Sequence, residues 1–396
     1  MTTLAAIRTG AGLRLLRAAV SRSGFQHPRT VLTWSDAMIP ELAGRPQIVA
    51  GEFEEVVDLN GLLAPFHPAQ WDPGDLELSL LAALLEPRMV GVDTLVVEDL
   101  DHKVARALTR LVPGAAIHVL QPGLDAYGPP AIRREAALDH RVAAHWYFEH
   151  LPQLQPASGG LARGLPLELP RGRPGEWTLV LGSDLAGAGA ITATAELDLL
   201  VEAIRLAAAE AGPIRVLPSP SMPPALVAQA RWRCREWEAR LEWGEAAAAR
   251  RWGTPSVAIG VDAVELLALQ RAGARVHTVG LSRLLSALTP YQHPLRLPWI
   301  LLDSQLREDR APVSDEVAQD LLDTLSYVIR PEWRPERAER AVAALARLPE
   351  AERRRYFWRL RLERLGLVPP PARRHQLWHQ VRTGGLVRPR RRAALE

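Results

Sequence analysis

One cysteine, Cys234, stands in 396 residues. No disulfide can form within such a chain, and a structural zinc site built on thiolates has nothing to stand on. Lysine is equally scarce: Lys103 is the only one, so arginine carries nearly all of the positive charge. Together with abundant Ala, Leu, Pro and Gly, this is the codon bias of a GC-rich genome, and arginine abundance alone is no argument for nucleic-acid binding. Basic and acidic residues alternate over most of the chain and the formal net charge is only +3, so no nucleic-acid partner is expected. No stretch reaches the roughly 18 uninterrupted apolar residues of a membrane span. Met1 to Val20 is broken by Arg8, Arg14 and Arg17 and lacks the apolar core of a signal peptide. A cytoplasmic location is the expectation.

What is present is the composition of a globular protein, 47% hydrophobic and 23% charged, in a length that implies two domains. Leu4 to Ile7, Thr30 to Trp34, Glu55 to Leu59, Thr94 to Val97 and Ala116 to Leu120 read as strands. Leu13 to Ser21, Leu76 to Leu85 and His102 to Leu111 read as helices between them. Continuous apolar strands alternating with helices imply a parallel sheet covered on both faces. The pattern stops in a Pro-, Gly- and Arg-rich stretch and resumes at Trp177. Strands are then expected at Trp177–Leu181, Ile214–Leu217, Arg240–Trp243, Ser256–Ile259 and Arg275–Val279. Helices are expected at Ala195–Glu210, Pro223–Trp237, Glu245–Arg251 and Val261–Arg271. The expected division is a first Rossmann-like domain over 1–152, a linker over 153–176, a second over 177–313 and a helical extension over 314–396. The ligand position in such a fold is the cleft at the carboxyl ends of the strands.

The stretch Gly123-Leu124-Asp125-Ala126-Tyr127-Gly128-Pro129 is similar to a D-G-L-x-x-Y-G-P motif. Pro65-Phe66-His67-Pro68-Ala69-Gln70-Trp71 is similar to P-x-H-P-x-x-W, and Val180-Leu181-Gly182-Ser183-Asp184-Leu185 to V-L-G-Q-x-L. Thr289 to Pro298 is similar to T-P-Y-x-N-S-N-R-I-P, and Tyr327-Val328-Ile329-Arg330-Pro331 follows in order. Their colinear agreement makes the chain resemble the bacterial α-2,8-polysialyltransferase-like family. The resemblance implies an α/β fold of glycosyltransferase-B type, two Rossmann-like domains facing a cleft plus C-terminal helices. It also implies sialyl transfer from CMP-sialic acid, or use of another nucleotide sugar, onto a glycan hydroxyl, with no metal and no further cofactor. A sugar hydroxyl is a poor nucleophile, so a carboxylate must take its proton. The leaving phosphate needs positive charge and hydrogen-bond donors.

Three departures fall on that chemistry. The family's acid precedes the glycine of D-G-L, where this chain has Pro122. The family's K-P-H-P-S-x-P-P corresponds to Leu217-Pro218-Ser219-Pro220-Ser221-Met222-Pro223-Pro224, so Leu217 replaces the basic residue and Ser219 the histidine. Asp262 and Ala263 replace a Ser-Thr pair, and a carboxylate at a helix N-terminus takes up the donors a phosphate would use. The donor-side candidates are therefore Ser219, Pro220, Ser221, Asp262 and Arg296, and those of the acceptor-side loop are Gly123, Tyr127, Gly128 and His67.

Other residues have two readings each. Asp125, three positions past Pro122, is either a relocated base or a turn-stabilising aspartate. The Glu98-Asp99-Leu100-Asp101-His102 cluster is better explained by caps and turns than by a metal. Arg296 either binds an anion bidentately or bridges the domains. His145 and His150 flank Trp146, Tyr147 and Phe148 in what reads as a packed helix. Trp232, Trp237, Trp243 and Trp252 read as core. The basic stretch Arg353–Arg364 reads as a packed helix, with contact to an anionic membrane as the alternative. Two functions stay open: a glycosyltransferase altered in donor use or inactive, and a non-catalytic partner of an active paralogue in glycan or capsule assembly.

Overall fold

The computed structural model describes residues 2–23, 26–36, 46–68, 71–130, 136–169, 174–183, 185–186, 189–219, 222–244, 253–307 and 311–369. Its strands form two sheets in which every described pairing is parallel. In chain order the first sheet contains β1 (Thr2–Ile7), β2 (Thr30–Thr33), β3 (Glu55–Asp58), β4 (Val92–Glu98), β5 (Ala116–Gln121), β6 (Val142–Phe148) and β7 (Ala162–Leu165). The second contains β8 (Gly175–Leu181), β9 (Ile214–Leu217), β10 (Leu241–Trp243), β11 (Pro255–Gly260) and β12 (Arg275–Thr278). Their spatial orders are β3-β2-β1-β4-β5-β6-β7 and β10-β9-β8-β11-β12. Strand order reverses between β1 and β4 in one sheet and between β8 and β11 in the other, the crevice positions where α/β sheets bind ligands. The expectation of two α/β units is met.

Alternation along each strand sends side chains to opposite faces. Leu4 and Ala6 of β1 with Leu95 and Val97 of β4 pack beneath the Asp75–Met89 and Lys103–Leu111 helices. Ala5, Ile7 and Val96 pack on the other side with Leu13, Leu15 and Leu16 of the Gly10–Ser23 helix. A third core holds the second sheet and the C-terminal helices. It also takes in Leu124, Ala126 and Tyr127, the turn after β5.

Several expectations are corrected. Val142–Phe148, with His145, Trp146 and Tyr147, is strand β6 rather than a helix: its aromatic run is buried between neighbouring strands. Strand β7 pairs with β6 and lies inside the stretch read as a linker, whose prolines and glycines masked four strand residues. The helix after β11 begins at Glu265, not Val261. The Arg353–Arg364 stretch is two helices, Glu350–Tyr356 and Arg359–Arg364, with Tyr356, Phe357 and Leu362 buried in the third core. Trp232 is 67% exposed rather than core. Glu245–Arg251 and Trp252 lie outside the described residues.

The two halves are fastened at the carboxyl ends of β5 and β6. Arg271, ending the Glu265–Arg271 helix, donates to the carbonyls of Glu149 and His150. A Cβ on Gly128 would stand 2.8 Å from Leu297 of the Arg296–Leu306 helix, so glycine permits that close approach. The helical extension returns to the first half through Gln319, which accepts from the Gln155 amide at 2.8 Å, and Arg337, which donates to the Ala157 carbonyl at 3.0 Å. Arg307, at the end of the Arg296–Leu306 helix, pairs with Glu352 of the extension at 2.7 Å, both buried.

Tyr127 is fully buried; its hydroxyl donates to the Leu151 carbonyl at 3.1 Å and accepts from the Leu151 amide at 2.9 Å. Tyr127→Phe strands both Leu151 groups away from water. The variant should lose about 1–3 kcal/mol of stability, read as a lower midpoint in thermal or urea unfolding; an unchanged midpoint would show that these bonds do not hold the turn.

Candidate functional site

The first sheet's crevice is built from the residues that follow its strands. Glu98 ends β4, is 1% exposed, and accepts from the amides of Arg8 and Thr9 at 2.8 Å each and from the Thr9 hydroxyl at 2.5 Å. These donors follow β1 and open the Gly10–Ser23 helix, the place where this type of fold cradles a phosphate. Here a carboxylate of the chain itself occupies it. A Cβ on Gly12 would lie 2.0 Å from Glu98 Oε2, so the helix comes this close only because residue 12 is glycine. Burial pushes the Glu98 carboxyl up, against the charge of Arg8 and the bonds from Thr9.

Around it lies a chain of charged groups. Arg8 donates to Asp36 at 2.8 Å and stands 3.8 Å from Asp99. His102 Nδ1 accepts from the Val104 amide at 3.2 Å, so its Nε2 carries the proton and donates to Asp36 at 3.0 Å. Burial opposes ionisation of Asp36, but the hydrogen bonds from His102 and Arg8 and the positive charge of Arg8 outweigh it and hold the carboxyl down at about 2. With both ring nitrogens engaged, His102 caps the Lys103–Leu111 helix and has no lone pair left for proton transfer. Asp99 has φ of +58°, a left-handed conformation unusual for a non-glycine residue. Its carbonyl accepts from the His102 amide and its carboxylate from the Asp101 amide, and its side chain is 41% exposed.

Asp125 enters this group from the Leu124–Tyr127 turn after β5. Its side chain is exposed at the surface, but the surrounding part of the molecule, which holds Asp99, Arg8 and Glu98, is densely packed. That burial, with the negative charge of Asp99 added, pushes its carboxyl up to about 6. Two carboxylates near one another resist ionising together. Gly123 precedes the turn in extended conformation, and a Cβ there would meet Asp125 Oδ1 at 2.7 Å.

The other candidates separate into groups. The Pro122 carbonyl accepts from Nε2 of buried His150 at 2.8 Å. Burial drives that imidazole's pKa down, against the bond to Pro122, so the ring is held neutral. Tyr127 anchors the turn from below and presents no hydroxyl to a ligand. His67 is half-buried beyond the Leu59–Leu63 helix. Arg296 is 2% exposed, donates to the carbonyls of Tyr291 and Leu288, and stacks against Tyr291 and Trp358. Its guanidinium braces the Leu288–Tyr291 segment that leads into its helix.

In the second half, Ser219 follows β9 and its amide nitrogen lies 2.6 Å from where a Cβ on Gly182 would be, so the turns after β8 and β9 are in close contact. Pro220 and Ser221 lie outside the described residues. Asp262 follows β11 and accepts from Trp299 Nε1 at 3.4 Å. It stands two residues ahead of Val264, which holds the cap position of the Glu265–Arg271 helix. The turn after β8 repeats the arrangement of the first half. Buried Glu196 accepts from the Leu185 amide and the Ser183 hydroxyl at 2.9 Å and from the Ala186 amide at 3.2 Å. Arg8, Asp36, His150 and Glu196 carried no motif. Only their places just after strands, or in the first turn of a helix, could have marked them. Among the described residues no group of three or more His, Cys, Asp and Glu side chains is set to hold a metal ion. None of the described helices is long and apolar enough to cross a membrane.

No family model and no curated protein matches the chain. Among solved structures it is similar to a glycosyltransferase from Rickettsia africae ESF-5, at 10% identity over 87% of this chain and 99% of that one, with a TM-score of 0.38. It is also similar to MurG of Acinetobacter baumannii, at 14% identity over 89% and 98% with a TM-score of 0.35. A third is the sucrose-phosphate synthase of Thermosynechococcus elongatus, at 12% identity over 97% and 100% with a TM-score of 0.40. Likeness at this level carries no functional conclusion, and the fold stands on the two sheets themselves.

The raised Asp125 acid has a consequence for stability. A group that binds its proton more tightly in the folded state stabilises fully below its unfolded pKa, and that contribution is lost as pH rises through the folded value. Between about pH 4 and 6 the wild type should therefore lose stability that Asp125→Asn keeps. Thermal midpoints of both proteins across this range are the check, and parallel curves would contradict the shift.

Proposed function

We propose that this chain is a glycosyltransferase of the two-domain B type in which Asp125 supplies the base that Pro122 cannot. The carrying observation is the place of Asp125: solvent-open, beside the strand-order reversal of the first sheet, on a turn pinned to the second half. A carboxylate with a proton affinity near 6 is matched to taking a proton from a sugar hydroxyl at neutral pH. The acceptor oxygen attacks the anomeric carbon of the donor sugar, its proton passes to Asp125, and the nucleotide leaves with the electrons of the broken glycosyl–phosphate bond. The polysialyltransferase resemblance supports a nucleotide sugar as donor and a glycan as acceptor. Leu217, Ser219 and Asp262 argue for a donor other than CMP-sialic acid, because they remove a cation and a histidine and add a negative charge where a phosphate would bind.

A second reading, a non-catalytic partner of an active paralogue, is favoured by one feature. Glu196 and Asp262 place carboxylates at the two second-half turns that flank the strand-order reversal. Either reading is compatible with a cytoplasmic location and with contact between the C-terminal basic segment and the inner membrane.

Thermal-shift measurements with cytidine, uridine and guanosine nucleotides and their sugars separate the two. The enzyme reading expects one nucleotide class to raise the midpoint. Asp125→Asn should keep that shift and lose on the order of 10²–10⁴ in transfer rate, and the wild-type rate should rise as pH passes about 6. Folded protein that responds to no nucleotide would overturn the enzyme reading. On either reading, Pro122→Asp with Ser219→His should not yield sialyl transfer while Asp262 remains.

A further inference from the structure

The Asp75–Met89 helix has two apolar faces. Leu78, Leu81 and Leu85 are buried against the first sheet. Leu76, Leu80 and Leu84 are 71%, 58% and 50% exposed. A spacing of four places these three along one stripe of a helix, turned well away from the buried face. Ala83 and Pro87 complete the exposed stripe, and no charged residue interrupts it. Exposed leucines scattered singly need no explanation, but an aligned apolar row does.

We propose that this stripe is the contact of a two-fold homodimer, with Leu80 on the axis. The row is symmetric about Leu80, so an antiparallel pairing sets Leu76 beside the partner's Leu84. The same operation brings Asp72, exposed ahead of the helix, opposite the partner's Arg88 near the helix end. Asp72 is only weakly engaged, with Lys103 at 3.7 Å, and Arg88 pairs with Glu55 on edge strand β3. Asp75 and Glu77 stand in the first turn of the helix, and Arg88, with Glu86, stands in its last turn. Antiparallel copies therefore complement one another in charge and in helix dipole, and parallel copies would not. The acids Asp72, Asp75, Glu77 and Glu86 around the stripe disfavour an anionic membrane as its occupant.

A helix of 15 residues is about 22 Å long. One helix pair of that length covers less than the roughly 800 Å² per partner of a standard stable interface. The dimer should accordingly depend on concentration.

Sedimentation velocity over a concentration series tests the proposal on the full chain. The wild type should shift from monomer to dimer, and Leu80→Glu, at an exposed site, should stay monomeric with its thermal midpoint kept. Leu80→Cys should cross-link into a dimer under mild oxidation, while Ser79→Cys, one position around the helix, should not. Cys234 is fully buried and adds no background. A wild type that stays monomeric throughout, or a dimer that Leu80→Glu leaves intact, would overturn the proposal. So would Leu80→Cys cross-linking no better than Ser79→Cys.

Discussion

The pair of hydrogen bonds between the Tyr127 hydroxyl and the backbone of Leu151 is the fastening on which the rest of the molecule's geometry hangs. It closes the turn after β5 onto the chain leaving β6, so that Leu124, Ala126 and Tyr127 become core residues of the second half although the first half supplies them. Gly128 then admits Leu297 at close range, and Arg271 grips the carbonyls after β6. Asp125 is the one member of the turn that points out to solvent. A carboxylate so mounted is held in place by buried neighbours on both sides, which is the condition for a functional group to keep its position.

The two sheets share a second constraint. Each has a place, just after its first strand, where backbone amides open toward an anion, and each fills it with a glutamate of its own, Glu98 or Glu196. Such a carboxylate competes with a phosphate for the same donors. A nucleotide bound by this protein would have to place its phosphates elsewhere in the cleft or displace a buried side chain.

Much of this was legible in the sequence, and the reasons for the remainder are physical. The apolar runs of β4 and β5 announce buried parallel strands because both faces of the sheet are covered. Strand β6 reads as a packed helix because Trp146, Tyr147 and Phe148 form a continuous aromatic run between His145 and His150, and only its pairing with β5 and β7 shows a strand. Asp125 was recognised as a base or a turn residue, and the fold makes it part of a group with Asp99 and Glu98. The Arg8–Asp36–His102 chain was not legible, because its members are 28 and 66 positions apart and meet only once the strands are in register. Arg296 matched a motif and still proved to be a buried brace. A motif position identifies a residue but not the direction its side chain takes.

The central claim is that Asp125 is a carboxyl tuned by its surroundings for proton transfer. Its most direct test is a carbon-13 NMR titration of that carboxyl in the wild type and in Asp99→Asn. A midpoint near 6 that falls when the Asp99 charge is removed is the predicted result. A midpoint near the ordinary value of 3.8 in both proteins would contradict it.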